Sequence, residues 1–312
     1  MAKIALELER ELARRALNGA PGGTTTRWLA RGEGWMVGDV LCTSDPGDRP
    51  FEERHANVTI AIVTAGSFQY RSAAGRELMT PGSLLLGNAG QSFECGHEHG
   101  AGDRCLSFHY DPDYFAGLAG DAAPGRTARP SRGVRPDFHI LRLPPLRALS
   151  GVVARACAAF AGSAGLSWEE LSVQVAARAV QVAGGLTPGP GAGTSAATAR
   201  VTRAVRRIER HADDGLTLAH LAREAGLSTY HFLRIFERLT GATPHQYVMR
   251  ARLREAAVRL TGAPGRVLDV AFDSGFGDLS NFNRAFRAEF GVSPRAYRTQ
   301  AGGGARSRAA RG

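Results

Sequence analysis

Soft metal ligands are concentrated in one short stretch of the sequence. Cys95, His97 and His99 alternate along it, and Asp103 and Cys105 follow closely. If the stretch is extended, the three alternating side chains face the same side, as ligands of one ion must. Cys95, His97, His99 and Cys105 are therefore candidate ligands of one metal ion, and zinc is the ion that suits thiolate and imidazole ligands.

Two other interpretations of this stretch stay open. It lacks the paired Cys-x-x-Cys spacing of a typical zinc site, so it can also be a turn whose histidines form local hydrogen bonds while its cysteines fill apolar gaps. It can also be a thiol sensor, because Arg104 would stabilise a thiolate at Cys105. Cys42 and His55 are candidates to join a metal site from elsewhere in the chain, whereas Cys157 is expected in a helix core.

A second pattern near the C-terminus occurs twice, about fifty residues apart. The copies read LAHLAREAGLSTYHFLRIFERLTGATPHQY and VLDVAFDSGFGDLSNFNRAFRAEFGVSPRAY. Each has the periodicity of a helix, a glycine (Gly226 or Gly275) suited to a left-handed turn, and a second helix that buries two phenylalanines. Two helices joined by a tight turn form a helix-turn-helix, whose second helix enters the major groove of DNA.

The outward residues of the second helices are candidates to contact DNA. Arg234 and Arg284 occupy matching positions in the two copies, and arginine can bind guanine with two hydrogen bonds. Other residues suit phosphates, which position a protein without specifying sequence. We assign this phosphate role to residues at the start of the first recognition helix and on the connecting helix: Ser228, Thr229, Arg250, Arg252 and Arg254.

The region from Arg200 to Gln300 resembles the DNA-binding region of the AraC family of bacterial transcription regulators. The second copy, SGFGDLSNFNRAFRAEFGVSPRAYR, is similar to the signature of that family. The resemblance implies two recognition helices in successive major grooves. It also implies base-reading positions at Tyr230, Leu233, Arg234, Leu279, Ser280, Asn283 and Arg284. Leu233 and Leu279 depart from the long polar residues common there, which leaves the target sequence open.

The charge distribution agrees with a nucleic-acid partner. Residues 1–199 hold 19 basic and 19 acidic residues, whereas residues 200–312 hold 20 and 10, which accounts for the whole net charge of +10. Clustered positive charge attracts a polyanion and releases its counterions. We therefore predict double-stranded DNA as the partner of the basic half.

The neutral half, residues 1–199, has a different pattern of apolar residues. Short strand-like runs at 58–63, 67–71, 83–86 and 105–110 are separated by glycine-containing turns, which predicts a β-barrel or sandwich. The stretch GSFQYRSAAGRELMTPGSLLLGNAGQSFECGH is similar to the cupin-like barrel at the front of many AraC-type regulators. Phe93 stands where enzymatic cupins have a metal-binding histidine. The resemblance thus favours a small-molecule pocket lined by strand side chains over a cupin enzyme.

These observations predict a two-domain α+β protein. We expect a cupin-like barrel at 1–143, a helical pair at 144–184 that closes the barrel or forms a dimer, a linker at 185–199, the all-α double helix-turn-helix at 200–300 and a disordered basic tail at 301–312. The Pro- and Gly-rich stretch Ala122 to Arg135 is expected to be an exposed loop.

The predicted function is a non-enzymatic transcription regulator. Its expected partners are DNA, RNA polymerase, a small-molecule effector and a second copy of the chain. The first twenty residues lack the pattern of a signal peptide and no apolar run could span a membrane, so we expect a cytoplasmic location. One alternative is a metal- or thiol-dependent sensor that uses the Cys95/His97/His99/Cys105 cluster. The other is a DNA-repair methyl acceptor with a zinc-held nucleophilic cysteine.

Overall fold

The computed structural model describes residues 2–122, 137–162, 167–187, 193–262 and 265–309. Most of the predicted loop at 122–135 and the centre of the predicted linker at 185–199 therefore lie outside the described residues. Every helix in these ranges is too short or too polar to span a bilayer.

The N-terminal half forms two antiparallel sheets. Their order is β1-β2-β9-β4-β7-β10 in the larger sheet and β3-β8-β5-β6 in the smaller one. The strands are β1 (Thr24–Gly32), β2 (Trp35–Cys42), β3 (Phe51–Arg54), β4 (Val58–Gly66), β5 (Phe68–Ser72), β6 (Gly75–Met79), β7 (Leu84–Gly87), β8 (Ser92–Gly96), β9 (Asp103–Tyr110) and β10 (Arg142–Leu143). The four predicted strand runs are thereby confirmed.

Successive side chains of a strand point to opposite faces of the sheet, so the larger sheet has an apolar layer on each of its two faces. Ala61 and Val63 of β4 face the smaller sheet, where Phe68 and Tyr70 complete the barrel interior. The alternate residues, such as Ile60, face helices on the outer side. Because both faces of β4 are covered, the strand reads as a continuous apolar run with almost no exposed residue.

Four helices cover the outer side of the larger sheet. They are α1 (Ala2–Asn18), α2 (Pro112–Ala122), α3 (Arg147–Phe160) and α4 (Trp168–Ala183). The last two are the predicted helical pair. Tyr110 of β9 donates a hydrogen bond to the backbone oxygen of Ser172 in α4 at 2.8 Å, which fixes the pair to the barrel.

The C-terminal half is all helical. It contains α5 (Ser195–Arg210), α6 (Leu218–Glu224), α7 (Thr229–Thr240), α8 (Pro244–Gly262), α9 (Val267–Asp273), α10 (Leu279–Phe290) and α11 (Pro294–Ala309). The helix pairs α6/α7 and α9/α10 are the two predicted helix-turn-helix units. Gly226 and Gly275 adopt φ angles of 65° and 82° in their turns, which favour glycine.

Two helices extend beyond the predicted boundaries of the DNA-binding region. Helix α5 begins inside the predicted linker, because Thr194 caps it by accepting a hydrogen bond from the amide of Ala197 at 3.3 Å, and Ala197 and Val201 extend its buried stripe. Helix α11 continues into the predicted disordered tail as far as Ala309. A succession of small and polar residues therefore did not end this helix.

The two halves pack directly against each other through α3 and α8. Ala154 of α3 is fully buried in the same apolar cluster as Leu253, Ala256 and Ala257 of α8. Small side chains at this contact allow the two helix axes to approach closely. The connecting helix of the double helix-turn-helix is consequently buried against the N-terminal half, which the sequence pattern did not indicate.

Candidate nucleic-acid interface

The first recognition helix, α7, buries its apolar face and exposes its polar face, as the sequence predicts. Ser228 caps it by accepting a hydrogen bond from the amide of His231 at 3.3 Å. Phe232 and Phe236 are fully buried and fix the rotation of the helix. Tyr230 is 64% exposed, and the guanidinium of Arg234 lies 5.8 Å from its ring centroid, so the two side chains support each other on the outer surface. Of the other predicted DNA-contacting residues, Thr229 is exposed and Leu233 is half-buried.

The second recognition helix, α10, repeats this arrangement. Asp278 caps it through the amide of Asn281 at 2.7 Å, and Phe282 and Phe286 are fully buried. The side chain of Arg284 donates a hydrogen bond to Asn281 at 3.2 Å and is exposed. The remaining predicted base-reading residues are the exposed Ser280 and Asn283 and the half-buried Leu279. Both units therefore present equivalent polar faces.

A cationic groove of 650 Å³ lies beside α10. Its lining includes Arg284, Arg287 and Arg295, with the polar residues Asn283 and Ser293. Ser293 caps α11 by accepting a hydrogen bond from the amide of Ala296 at 3.2 Å, so the positive end of that helix opens towards the groove. Sequence reasoning assigned no DNA role to Arg287, Arg295 or Ser293. The Ser-Pro helix start next to arginines was the signal that could have found them.

The three arginines on α8 that were predicted to contact phosphates make contacts within the protein. Arg254 is only 7% exposed, and its guanidinium contacts both carboxylate oxygens of Glu209. Arg252 donates hydrogen bonds to the backbone oxygens of Ala212 and Asp214, and Arg250 lies 3.5 Å from the carboxylate of Glu289. These side chains hold neighbouring helices together, so a phosphate contact would have to compete with contacts inside the protein.

The predicted metal ligands are only partly brought together. Cys42 and Asp103 lie opposite each other on β2 and β9, and one ring nitrogen of His97, the sulfur of Cys42 and an oxygen of Asp103 all lie within 4.8 Å of one another. Cys105 donates a hydrogen bond to Asp103 at 3.3 Å. Cys42, which the sequence offered as a candidate from elsewhere in the chain, thus belongs to the cluster, and so does Asp103, which the predicted ligand set left out.

His99 does not join this cluster, because the predicted extended run ends before it. Residues 97–102 form a turn in which Arg76 contacts Glu98 at 3.0 Å. His97 consequently faces inward, whereas the ring of His99 lies 3.2 Å from the hydroxyl of Ser195 in α5. Cys95 packs at the edge of the barrel interior, beside Phe93.

The thiol-sensor interpretation required Arg104 to stabilise a thiolate at Cys105, but the two side chains do not meet. The guanidinium of Arg104 pairs with Asp39 at 2.8 Å and with Glu7 at 2.7 Å, on the side of β9 opposite to Cys105. Burial, followed by the charge of Asp103, raises the pKa of the Cys105 thiol well above its usual value. Burial and then Asp103 also raise the pKa values of Cys42 and Cys95. Without a cation these thiols stay protonated and unreactive.

His55 has a structural environment of its own. A ring nitrogen lies 2.8 Å from the hydroxyl of Tyr70, and the imidazole stacks on Phe93 with 4.1 Å between ring centroids. It is 7% exposed, and burial lowers its pKa to about 4. His55 is therefore a neutral core residue and does not join the Cys42/His97/Asp103 group.

A cavity of 710 Å³ lies between the two halves of the molecule. Leu8 and Leu12 of α1 form part of its apolar wall, and Arg206, Glu209 and Arg259 contribute charge from α5 and α8. Its position differs from the expected pocket between strands, because helices from both halves line it. Such a volume suits a small molecule with polar groups.

Each half of the chain matches the model of a known protein family. Residues 221–300 match the family model described as a helix-turn-helix domain, and residues 40–174 match that of the AraC-like ligand binding domain. The right origin-binding protein of Escherichia coli K12 is 38% identical over 93 residues, which are 29% of this chain and 32% of that protein. This chain thus spans about a third of the length of the first curated relatives it matches.

Two further proteins are similar to part of this chain. The regulatory protein SoxS of Salmonella typhimurium is 34% identical over 91 residues, which are 29% of this chain and 85% of SoxS. The DNA-binding domain of the transcriptional factor AdpA, solved in complex with a target DNA, is 30% identical and covers 32% of this chain and 91% of its own, with a TM-score of 0.32.

Proposed function

Since this chain belongs to the AraC family of transcriptional regulators, we propose that it binds a specific site on double-stranded DNA and regulates transcription from it. The observation that carries the proposal is the equivalence of α7 and α10. In both helices, two buried phenylalanines fix the rotation, and an arginine at the matching position, Arg234 or Arg284, stays exposed. Two such faces suit successive major grooves.

The base contacts fall on the outward residues of these two helices. Arg234 and Arg284 suit guanine, Asn283 suits adenine, and Leu233 suits the methyl group of thymine. Tyr230, Leu279 and Ser280 complete the proposed base-reading set. Because Arg234 contacts Tyr230 and Arg284 contacts Asn281, both guanidinium groups are partly oriented before DNA binds.

The phosphate contacts are proposed at the ends of helices. Ser228 and Thr229 at the start of α7 suit one phosphate, and the groove lined by Arg287, Ser293 and Arg295 suits another. This assignment replaces the arginines of α8, whose side chains are used inside the protein.

The N-terminal half is proposed to regulate DNA binding in response to a signal. The 710 Å³ cavity between the halves is the proposed site of a small-molecule effector, since a ligand there would contact α1, α5 and α8 together. RNA polymerase and a second copy of the chain are proposed partners, and the cytoplasm is the proposed location. We propose no enzymatic activity, because a methyl acceptor needs an accessible nucleophilic thiolate. Cys42, Cys105 and Cys157 are buried, and burial followed by the charge of Asp103 raises the pKa of the half-buried Cys95.

Selection of bound sequences from random duplex DNA with the full chain tests the proposal. We expect one enriched site with two half-sites about 10 base pairs apart, since the recognition helices would occupy successive turns of one DNA face. Binding to that site should weaken as salt rises, in proportion to the phosphates contacted. Enrichment of no sequence, or equal affinity for the selected and a scrambled duplex, would contradict the proposed function.

A further inference from the structure

We propose that Cys42, His97 and Asp103, with Cys105 as the fourth ligand, bind a thiophilic divalent cation of the zinc class. The cluster joins the end of β2 to the start of β9 and the turn before it. Three of these residues come from one short segment, and Cys42 is brought to them by strand pairing. The proposed consequence for DNA binding rests on the function proposed above.

The donor atoms are close to the geometry that zinc requires. Bonds of roughly 2.0–2.3 Å in a tetrahedron place donor atoms about 3.3–3.8 Å apart. The ligand atoms of Cys42, His97 and Asp103 already lie within 4.8 Å of one another. Contraction of these three residues around an ion therefore needs side-chain adjustments of about 1 Å and no change in strand register. Cys105 lies outside this group, with its sulfur 3.3 Å from Asp103, and its side chain must turn towards the ion to become the fourth ligand.

Burial supplies an independent argument for a ligand. Cys42, His97 and Asp103 are 3%, 5% and 5% exposed. Nε2 of His97 lies 2.8 Å from Asp103, so this nitrogen faces the carboxylate of the cluster. An ionisable carboxylate, an imidazole and two thiols in one apolar region are costly to bury unless a cation compensates them.

The types of the donor atoms select the class of ion. Two thiolates, one imidazole and one carboxylate suit zinc, whereas magnesium and calcium prefer oxygen ligands throughout. Binding of the ion would displace the thiol protons of Cys42 and Cys105.

The segment between two ligands contacts the DNA-binding half. Arg206 of α5 donates a hydrogen bond to the backbone oxygen of Ala101 at 2.7 Å, and Ser195 at the start of α5 lies 3.2 Å from His99. Because His97 and Asp103 bracket this turn, drawing them around an ion would shift the surface on which α5 rests. The site is therefore placed to alter the position of the DNA-binding half.

Titration of the metal-free full chain with Co²⁺, a spectroscopic substitute for zinc, tests the site. We expect one ion per chain, visible d–d bands of a tetrahedral complex and a thiolate-to-cobalt charge-transfer band in the near ultraviolet. Cys42→Ser and Cys105→Ser should each reduce the charge-transfer band by about half, because each removes one of two thiolates. Competition with Zn²⁺ should abolish all bands.

A matched pair of histidine variants decides which side chains bind the ion. His97→Gln should weaken Zn²⁺ binding by roughly 100-fold or more, since loss of a direct ligand exceeds the loss of an outer partner. His99→Gln, two residues away, should bind like wild type. Circular dichroism confirms that each variant is folded. Equal losses in both variants, no charge-transfer band in the wild type, or binding that survives both Cys42→Ser and His97→Gln would overturn the site.

Affinity for the selected DNA site, measured for the metal-free and Zn²⁺-loaded chain, tests the coupling. We expect a difference of at least fivefold in the wild type and none in His97→Gln, in line with ordinary allosteric couplings. Equal affinity in the two wild-type states would overturn the coupling. Failure of the DNA-binding function would instead appear as absent specific binding in both states, while the cobalt spectra stayed unchanged.

Discussion

Arg254 and Glu209 form a buried ion pair at the point where the two halves of the molecule meet. The guanidinium of Arg254 on α8 lies 2.8 and 3.0 Å from the two carboxylate oxygens of Glu209 on α5. It also contacts the backbone oxygen of Pro81, between β6 and β7, at 3.5 Å. Burial opposes the charge of Arg254, but Glu209 keeps the pKa of the guanidinium above its usual value. One side chain thus links both helices to the barrel.

Removal of one partner of this pair should destabilise the protein strongly. Glu209→Gln leaves the buried guanidinium without a counter-charge, so we expect the free energy of unfolding to decrease by about 3–5 kcal/mol. Urea denaturation followed by circular dichroism measures the change. Replacement of both partners, Glu209→Leu with Arg254→Met, should recover much of the loss because no unpaired charge remains.

The control for this prediction is an exposed ion pair in the same half. Arg207 lies 3.4 Å from Asp214, and their side chains are 38% and 49% exposed. Asp214→Asn should lower the free energy of unfolding by less than about 1 kcal/mol. If Glu209→Gln and Asp214→Asn had equal effects, the burial of Arg254 would play no part in stability.

Loss of the exposed recognition arginines should weaken specific DNA binding and leave the fold intact. Arg234→Ala or Arg284→Ala should each cost roughly 1–3 kcal/mol of binding to the selected site, since a contact with two hydrogen bonds to a base would be removed. Fluorescence anisotropy at fixed salt measures the affinity. Arg10→Ala, which removes an equal charge from an exposed site on α1, is the control. Wild-type affinity in both recognition variants would contradict the assigned face.

Alanine variants of two equivalent glycines should separate the cost of backbone strain from the cost of disturbing the contact between the two halves. Gly241 and Gly291 end the recognition helices with φ angles of 75° and 80°. A Cβ atom at Gly291 would meet open space, whereas one at Gly241 would lie 2.4 Å from Cβ of Pro144 in the N-terminal half. Gly291→Ala should therefore cost about 1 kcal/mol or slightly more of stability, from backbone strain alone.

Gly241→Ala should cost distinctly more than Gly291→Ala, because the same strain is joined by a collision with Pro144. Thermal unfolding measured side by side gives the comparison. Equal melting temperatures for the two variants would show that the contact between α7 and the N-terminal half is absent in solution.

Stability should decrease below neutral pH because of buried histidines. Burial lowers the pKa of His55 to about 4, with a smaller contribution from His109, and burial lowers that of His109 to about 4 as well. The unfolded chain takes up these protons near pH 6.5, so between pH 6.5 and 4 the free energy of unfolding should fall by up to about 1.4 kcal/mol per pH unit for each histidine.

Urea denaturation at several pH values checks this slope. His55→Gln keeps a hydrogen-bonding group near Tyr70 but removes one titrating group. The free energy of unfolding of this variant should therefore change less steeply with pH, and the decrease in slope should equal the contribution of one histidine. His220→Gln, at an exposed position on α6, should keep the wild-type slope. An unchanged slope in His55→Gln would show that His55 is protonated freely in the folded protein.

The local parts of this structure follow from the sequence. Each helix-turn-helix unit is specified within about thirty residues by caps, phenylalanine spacing and glycines such as Gly226, because these signals act through neighbours along the chain. The exposed positions of Arg234 and Arg284 follow from the same periodicity, since fixing the buried face of a helix also fixes its outer face.

Contacts between distant segments were decided only by the tertiary structure. The sequence places Arg254 on a helix, but its contacts with Glu209 and Pro81 depend on how the two halves pack. Cys42 is a neighbour of Asp103 because β2 pairs with β9 in one register. His97 and His99 face different surroundings because the chain turns at residues 97–102. Such contacts depend on the balance of packing over the whole fold, which no short pattern in the chain encodes.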